Sequence, residues 1–259
     1  MNQQPTTTPR LQVDNLTVRF GGLTALDDVT FSVRPGEVVA LIGPNGAGKT
    51  TVFNAICNLL RYDGRIRIDG APIPRGTSRL GRHGVARTLQ GLGLFPSMTA
   101  LENVLVPIAS GPNARAAALA QLTELDLGRV AARRVAELSY PDRKRVALAR
   151  ALVTDPSLML LDEPAGGLGS DDIAALTSTI REIAQSGRSV LLVEHHVDFV
   201  MGLADRIFVL DFGRLIAAGT PAEVRANPKV EEAYLGVPAG SEPWEATGNT
   251  ARATLGASS

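Results

Sequence analysis

The chain has 259 residues, of which 44% are hydrophobic, so it can bury the core of one large α/β domain. Its 26 lysines and arginines equal its 26 aspartates and glutamates, and this balance gives no basic surplus that would indicate a nucleic-acid partner. A single cysteine, Cys57, excludes an internal disulfide. No apolar run reaches the roughly 18 residues that span a bilayer, and the first ten residues lack the apolar segment of a secretion signal. We therefore expect a cytoplasmic protein, or one bound to the cytoplasmic face of a membrane through a partner.

Strand patterns dominate the first part of the chain. Leu11–Phe20 alternates in polarity and predicts a strand, with 29–33 as its partner. An apolar run, Val38–Ile42, predicts a buried strand before a glycine-rich turn. Residues 51–60 have helical apolar spacing, and 65–68 form a short strand. We expect residues 1–10 to be flexible and 11–90 to combine a nucleotide-binding core with an antiparallel β subdomain.

Helical patterns prevail between residues 91 and 153, which we predict to be an inserted helical subdomain. Thr99 is a candidate helix cap, and 113–125 is rich in alanine. Residues 141–153 predict an amphipathic helix with four basic side chains pointing outward. These four are Arg143, Lys144, Arg145 and Arg150.

The α/β alternation then resumes and completes the predicted core over residues 154–236. Apolar strands at 158–161 and 189–193 end in Asp162-Glu163 and in Glu194-His195 respectively. Helices are predicted at 172–185 and 197–204, and strands at 206–210 and 215–218. Residues 237–259 offer little to pack and predict a disordered tail.

A phosphate-binding loop follows the strand at 38–42. The pattern G-x-x-x-x-G-K-[ST] is matched without a gap, and Thr51 follows it. Its residues are Gly43, Pro44, Asn45, Gly46, Ala47, Gly48, Lys49 and Thr50. In this pattern backbone N–H groups and the positive end of the next helix face an anion. Lys49 can reach the β- and γ-phosphates, and the Thr50 hydroxyl can ligate Mg²⁺.

Two further strand ends carry candidate catalytic groups, because ligands of parallel α/β sheets gather at the carboxyl ends of strands. Asp162 suits Mg²⁺, directly or through water, and Glu163 suits the activation of a water that attacks the γ-phosphate. A helix-capping acidic pair is the alternative. His195 is placed to contact the γ-phosphate, with a satisfied core histidine as the alternative, whereas His196 and His83 are expected to be structural or at the surface.

Taken together, these residues resemble the ATP-binding subunits of ABC transporters over residues 11–235. The resemblance implies a P-loop NTPase (RecA-like) core, bound ATP and Mg²⁺, and a dimer that docks on permease subunits. It also implies that Phe20 stacks on adenine, that Gln90 senses Mg²⁺ and the permease, and that Ser139 binds ATP held by the other subunit. Finer similarity, in FGGLTALDDVTF, in the stretch 84–104 and in the closing stretch 200–236, points to importers of branched-chain amino acids or related amides and urea, which work with a solute-binding protein.

One motif departs from that family. The signature loop reads Leu138-Ser139-Tyr140-Pro141-Asp142, with proline and aspartate where glycine and glutamine are usual, and Gly169 replaces a usual polar residue. Pro141 removes an N–H and is expected to confine Tyr140 to extended geometry, while Asp142 adds negative charge near the anion. These changes predict two unequal ATP sites and favour a heterodimer with a second ATPase subunit. The alternatives are a regulatory nucleotide clamp with little hydrolysis and a non-transport ABC ATPase.

Overall fold

The apolar runs form ten strands in the part of the chain that the computed structural model describes, namely residues 8–74, 76–88, 91–109 and 111–235. The strands are β1 (Leu11–Phe20), β2 (Leu23–Val33), β3 (Val38–Ile42), β4 (Asp63–Ile68), β5 (Ala71–Pro72), β6 (Val85–Arg87), β7 (Leu158–Asp162), β8 (Ser189–Val193), β9 (Arg206–Asp211) and β10 (Arg214–Gly219).

Eight α-helices lie in the same described ranges, together with short 3₁₀ segments. The α-helices are α1 (Lys49–Ile56), α2 (Ala100–Leu105), α3 (Ala114–Glu124), α4 (Tyr140–Leu152), α5 (Ser170–Gln185), α6 (Val197–Leu203), α7 (Pro221–Arg225) and α8 (Pro228–Leu235). The 3₁₀ segments are Thr77–His83, Val106–Ile108, Gly128–Val130 and Val135–Glu137.

The strands form two sheets. An antiparallel sheet has the order β2-β1-β4-β5, and a six-stranded sheet has the order β10-β9-β3-β8-β7-β6. In the larger sheet β9, β3, β8, β7 and β6 are parallel, and β10 pairs antiparallel with β9. Because β8 lies between β3 and β7, the turn after β3 and the ends of β8 and β7 meet at one edge of the sheet. The predicted P-loop fold, with its antiparallel β portion and helical segment, is confirmed.

The large sheet separates two hydrophobic clusters, and alternation along each strand decides which residue joins which cluster. In β3, Val38, Ala40 and Ile42 pack with the helices, whereas Val39 and Leu41 pack with α1 and the antiparallel sheet. All five are at most 2% exposed. A parallel strand buried on both faces reads as a continuous apolar run, which explains why β3 was recognisable from sequence.

Helices α2, α3 and α4 lie between β6 and β7 in the chain. Thr99 caps α2 in a capping box with Glu102, as predicted. Ala118 and Leu122 of α3 belong to the same buried cluster as the helix-facing residues of β3. The helical segment therefore shares its core with the sheet.

Two predicted boundaries were wrong by more than two residues. Helix α1 covers Lys49–Ile56 and not 51–60, because Cys57 caps it and Asn58 adopts a left-handed conformation with φ of 53°. Leu59 consequently lies beyond the helix and is 58% exposed. The partner of β1 is also longer than predicted, since β2 begins at Leu23.

The outward orientation predicted for the four basic residues of α4 was wrong as well. All four are half-buried. Lys144 Nζ donates to the carbonyls of Glu163 and Pro164, and Arg150 donates to those of Leu92 and Gly93. Long side chains can bury their stems while their charged ends reach backbone carbonyls, and hydropathy alone does not reveal this.

Three sequence-based predictions fall outside the described residues: the flexible N-terminus over residues 1–7, the role of Gln90, and the disordered tail 237–259. Among the helices that are described, none is both long and apolar enough to cross a membrane.

Candidate functional site

The turn between β3 and α1 forms a tight cradle that depends on glycine. A Cβ atom at Gly43 would lie 2.0 Å from the carbonyl oxygen of Leu210. Gly48 has φ of +107°, and a Cβ there would lie 2.7 Å from Leu26 Cδ2. Strand β9 thus packs closely against Gly43, and strand β2 packs closely against Gly48. Only glycine fits at these two positions.

Lys49 lies inside this cradle. Its Nζ donates hydrogen bonds to the carbonyl oxygens of Gly43 at 2.7 Å and Pro44 at 2.9 Å, and the residue is 8% exposed. Burial lowers the pKa of Lys49, and the Glu163 carboxylate partly opposes that change. The carboxylate therefore acts electrostatically on the lysine of the cradle, although the two residues are far apart in sequence.

The outer surface of the cradle is open to an anion. Asn45, Gly46 and Thr50 are exposed, while Ala47 is buried beneath them and Thr51 is half-buried. Helix α1 begins at Lys49, so its positive end faces the same space. The arrangement is that of a phosphate site at a helix N-terminus.

The acidic pair and the histidine are brought together at the ends of β7 and β8. Asp162 is the last residue of β7, and Glu163 follows it with φ of 48°. Glu163 Oε1 lies 3.6 Å from His195 Nδ1. Asp162 is 8% exposed, and its Oδ2 accepts a hydrogen bond from Arg87 Nη2 at 3.0 Å.

The donor set at this edge fits Mg²⁺. Thr50 offers an exposed hydroxyl and Asp162 a carboxylate, which are the hard oxygen ligands that Mg²⁺ prefers. The described residues contain no group of three or more His, Cys, Asp or Glu that could hold a metal ion. A magnesium ion here would be completed by substrate phosphates and water, as is usual for this ion.

The remaining predicted site residues fall into three situations. Phe20 ends β1, is 54% exposed, and pairs with Leu23 at the start of β2, the strand that packs against Gly48. Ser139 lies at the N-terminus of α4, where its hydroxyl accepts from Asp142 N–H at 3.2 Å. Gln90 lies outside the described residues.

The loop around Ser139 differs from expectation in two respects. Tyr140 is the first residue of α4 and is not extended; the extended residue is Ser139, with ψ of 157°. Asp142 is 7% exposed, and its Oδ1 pairs with Arg129 at 3.3 Å and Arg145 at 3.6 Å. Its negative charge is therefore compensated within the chain, which removes one of the two reasons for expecting a weak loop. Pro141, which has no N–H, remains in the first turn of the helix.

Three charged residues at the site were not identified from sequence. Arg87 pairs with Asp162, Lys144 contacts the backbone after β7, and Glu194 accepts from Ala165 N–H at 2.7 Å. Glu194 adjoins His195, and this position was its only sequence signal. The partners of Arg87 and Lys144 are 75 and about 20 residues away in the chain.

The strand-loop-helix cradle and the neighbouring acidic pair define a P-loop nucleotide-binding protein. A family model described as ABC transporter matches residues 26–166, and one described as branched-chain amino acid ATP-binding cassette transporter matches residues 214–240. The chain belongs to the ABC transporter ATP-binding family and is an ABC-type ATPase subunit.

Individual relatives agree with this membership. The high-affinity branched-chain amino acid transport ATP-binding protein LivG of Escherichia coli is 39% identical, with 88% of this chain and 98% of LivG covered. A crystal structure of the ADP conformation of an ABC transporter cassette is 32% identical, with a TM-score of 0.81, covering 89% of this chain and all of that one. A dimeric post-hydrolysis cassette bound to ADP and phosphate is 28% identical, with a TM-score of 0.72, covering 82% and 98%.

Proposed function

We propose that this chain binds Mg²⁺-ATP in the Lys49 cradle and hydrolyses it to drive solute import, with branched-chain amino acids or related small polar solutes as cargo. The observation that supports the catalytic part is the convergence of Lys49, Glu163 and His195. The Glu163 carboxylate acts on the Lys49 ammonium and lies 3.6 Å from His195 Nδ1. A cation, a base and a γ-phosphate contact are thereby available at one edge of the sheet.

Each residue has a role that follows from its chemistry. Lys49 leaves the carbonyls of Gly43 and Pro44 and donates to the β- and γ-phosphates, while backbone N–H groups of the loop hold the phosphate chain. Thr50 and Asp162 would hold Mg²⁺, which would supply neutralisation of the phosphate charge when bound. Glu163 accepts a proton from the attacking water, and His195 contacts the γ-phosphate. Phe20 stacks on the adenine ring.

The cargo is inferred from two similarities. The C-terminal family model carries the branched-chain amino acid description, and LivG carries the same cargo in its name. Both support transport over the two alternatives, the regulatory clamp and the non-transport ATPase. The neutral balance of charge also gives no support for a nucleic-acid partner.

The partners follow from the same reasoning. We infer that the chain docks on permease subunits at the cytoplasmic face of the membrane and serves a solute-binding protein indirectly. Pro141 offers no N–H toward a phosphate, so ATP sites built with this loop are weak, and this favours a second ATPase subunit with a complete loop as the dimer partner. The dimeric relative supports a pairing of two cassettes.

Replacing Glu163 with glutamine tests the catalytic proposal. Glutamine keeps the size of the side chain but cannot take a proton, so turnover should fall about 100-fold or more while ATP affinity is retained. Glu37→Gln is the matched control, because Glu37 is a buried carboxylate at the opposite end of β3 and pairs with Arg206. Undiminished turnover in Glu163→Gln would contradict the proposed role of this residue.

Reconstitution with its cognate permease and solute-binding protein tests the cargo. Leucine, isoleucine and valine should stimulate ATP hydrolysis and enter proteoliposomes, whereas lysine and glutamate should do neither. Stimulation by the charged amino acids alone would overturn the cargo assignment and leave the ATPase assignment standing.

A further inference from the structure

The backbone that carries Glu163 is held from two sides by side chains. From the first side, Lys144 Nζ donates to the carbonyl oxygens of Glu163 at 3.0 Å and Pro164 at 2.7 Å. From the second side, Glu194 Oε1 accepts from Ala165 N–H at 2.7 Å. Three consecutive residues of the loop after β7 are thus bound through their main chain.

Glu194 also binds the loop that carries His195. Its Oε2 accepts from His195 N–H at 2.9 Å and from His196 N–H at 3.1 Å. The residue is 0% exposed. A buried carboxylate is costly unless it is fully hydrogen-bonded, and here three backbone donors from two loops satisfy it. One side chain therefore ties the loop after β7 to the loop after β8.

Lys144 extends this connection to α4. It lies on the first turns of the helix that begins beside Ser139, and its Nζ is 5.5 Å from the centre of the Tyr140 ring. Burial lowers the pKa of Lys144, while the carboxylates of Glu194 and Glu163 raise it. The ammonium group therefore lies in the electrostatic field of both carboxylates. It connects α4, the helix that follows Ser139, to the loop after β7 that carries Glu163.

The backbone conformation of Glu163 explains why its loop needs the hydrogen bonds from Lys144 and to Glu194. Its φ of 48° is left-handed, which costs a residue with a side chain about 1–2 kcal/mol. Such a conformation persists only where surrounding contacts maintain it. On one side of the residue its N–H donates to the Val193 carbonyl at 3.0 Å, and on the other side its own carbonyl accepts from Lys144.

We propose that Lys144 and Glu194 are positioning residues that hold Glu163 in its left-handed conformation by tying the loop after β7 to α4 and to the loop after β8. The inference rests on the proposed role of Glu163 as the base. Neither side chain contacts the phosphate cradle in the described hydrogen-bond network, so both act on turnover through Glu163 and not through nucleotide affinity.

Lys144→Met and Glu194→Gln test the inference by single-turnover hydrolysis with the assembled transporter, in which the partner ATPase subunit supplies a complete loop, in excess over ATP. Each should lower the hydrolysis rate roughly 100-fold, since a displacement of about 1 Å at a catalytic group costs that much. The protein concentration that gives half of the maximal rate should stay within about threefold of the wild type, because binding and chemistry are separable in this way. Lys144→Arg, which keeps a donor, should recover part of the rate, and Glu37→Gln should behave as the wild type.

A second comparison separates this proposal from the one on which it rests. In a Glu163→Gln background, adding Lys144→Met should produce no further loss, because a residue that acts through Glu163 has nothing left to position. If Glu163→Gln keeps wild-type turnover, the catalytic proposal fails. If it loses turnover but Lys144→Met and Glu194→Gln keep theirs, only the positioning proposal fails. Equal losses of ATP affinity and rate in Lys144→Met, without recovery in Lys144→Arg, would also overturn positioning.

Discussion

Replacing Pro141 with glycine isolates the effect of one missing N–H in the first turn of α4. Pro141 lies in the first turn of that helix, and the next N–H, of Asp142, is already bound to Ser139 Oγ. Glycine restores a donor, and a hydrogen bond to a charged group contributes about 1.5–3 kcal/mol. Since each 1.4 kcal/mol is about tenfold in affinity, every ATP site built with this loop should tighten roughly 10- to 150-fold.

The assay measures ATP-dependent dimerisation of the chain alone by analytical sedimentation. It uses a Glu163→Gln background, in which bound ATP is not hydrolysed. Both sites of such a homodimer use the Ser139 loop, so the parent should dimerise weakly and Pro141→Gly should dimerise at lower protein concentration. With Glu163 intact, the feeble turnover of the chain alone should rise. Pro221→Gly is the matched control, because Pro221 occupies the first turn of α7 and receives the same backbone change.

The stability of the folded chain should move in the opposite direction to dimerisation. Exchanging proline for glycine loosens the unfolded chain and should cost about 1 kcal/mol of unfolding free energy. Asp142→Gln should also cost about 1 kcal/mol, by removing the partner of Arg129 and Arg145, without strengthening dimerisation. If Pro141→Gly dimerises and turns over ATP like its parent, the missing N–H is not what weakens the loop, and this reasoning is refuted.

Further predictions concern stability. Arg87→Met leaves Asp162 unpaired at 8% exposure and should lower the free energy of unfolding by about 3 kcal/mol in urea; an unchanged midpoint would contradict a buried ion pair. Thr99→Ala removes the cap of α2 and should cost about 1 kcal/mol in the same measurement. Hydrogen bonds from Thr220 lower the pKa of Glu223, so its stabilisation should be present at neutral pH and be lost as pH falls through that lowered pKa. Thr220→Val removes the hydroxyl and keeps the backbone N–H, so it should reduce this acid dependence in part, and an equal slope in both proteins would count against it.

The phosphate loop and the strands of the parallel sheet were predictable from sequence because both leave local patterns. A continuous apolar run that stops at Gly43 specifies a strand and a turn within a few residues. The ends of β7 and β8 were predicted for the same reason, and so was the meeting of Glu163 with His195, since carboxyl ends of parallel strands share one edge.

The features that sequence missed depend on contacts between distant segments. Lys144 looked like an outward residue of an amphipathic helix, yet its amine reaches two carbonyls about 20 residues further along the chain. Asp142 looked like an uncompensated charge, but Arg129 comes to it from a separate 3₁₀ segment. The end of α1 depends on the left-handed Asn58, a backbone choice that apolar spacing does not encode.

The central claim is that the cradle around Lys49 holds the phosphates of ATP. Measuring the nucleotide affinity of Lys49→Ala tests this claim most directly. By titration calorimetry with Mg²⁺-ATP, the variant should bind roughly 10- to 150-fold more weakly, which corresponds to loss of a charged hydrogen bond of about 1.5–3 kcal/mol. AMP, which lacks the β- and γ-phosphates, should bind both proteins equally. Arg188→Ala, at the end of β8 opposite to His195, should bind ATP like the wild type. Unchanged ATP affinity in Lys49→Ala would contradict the account.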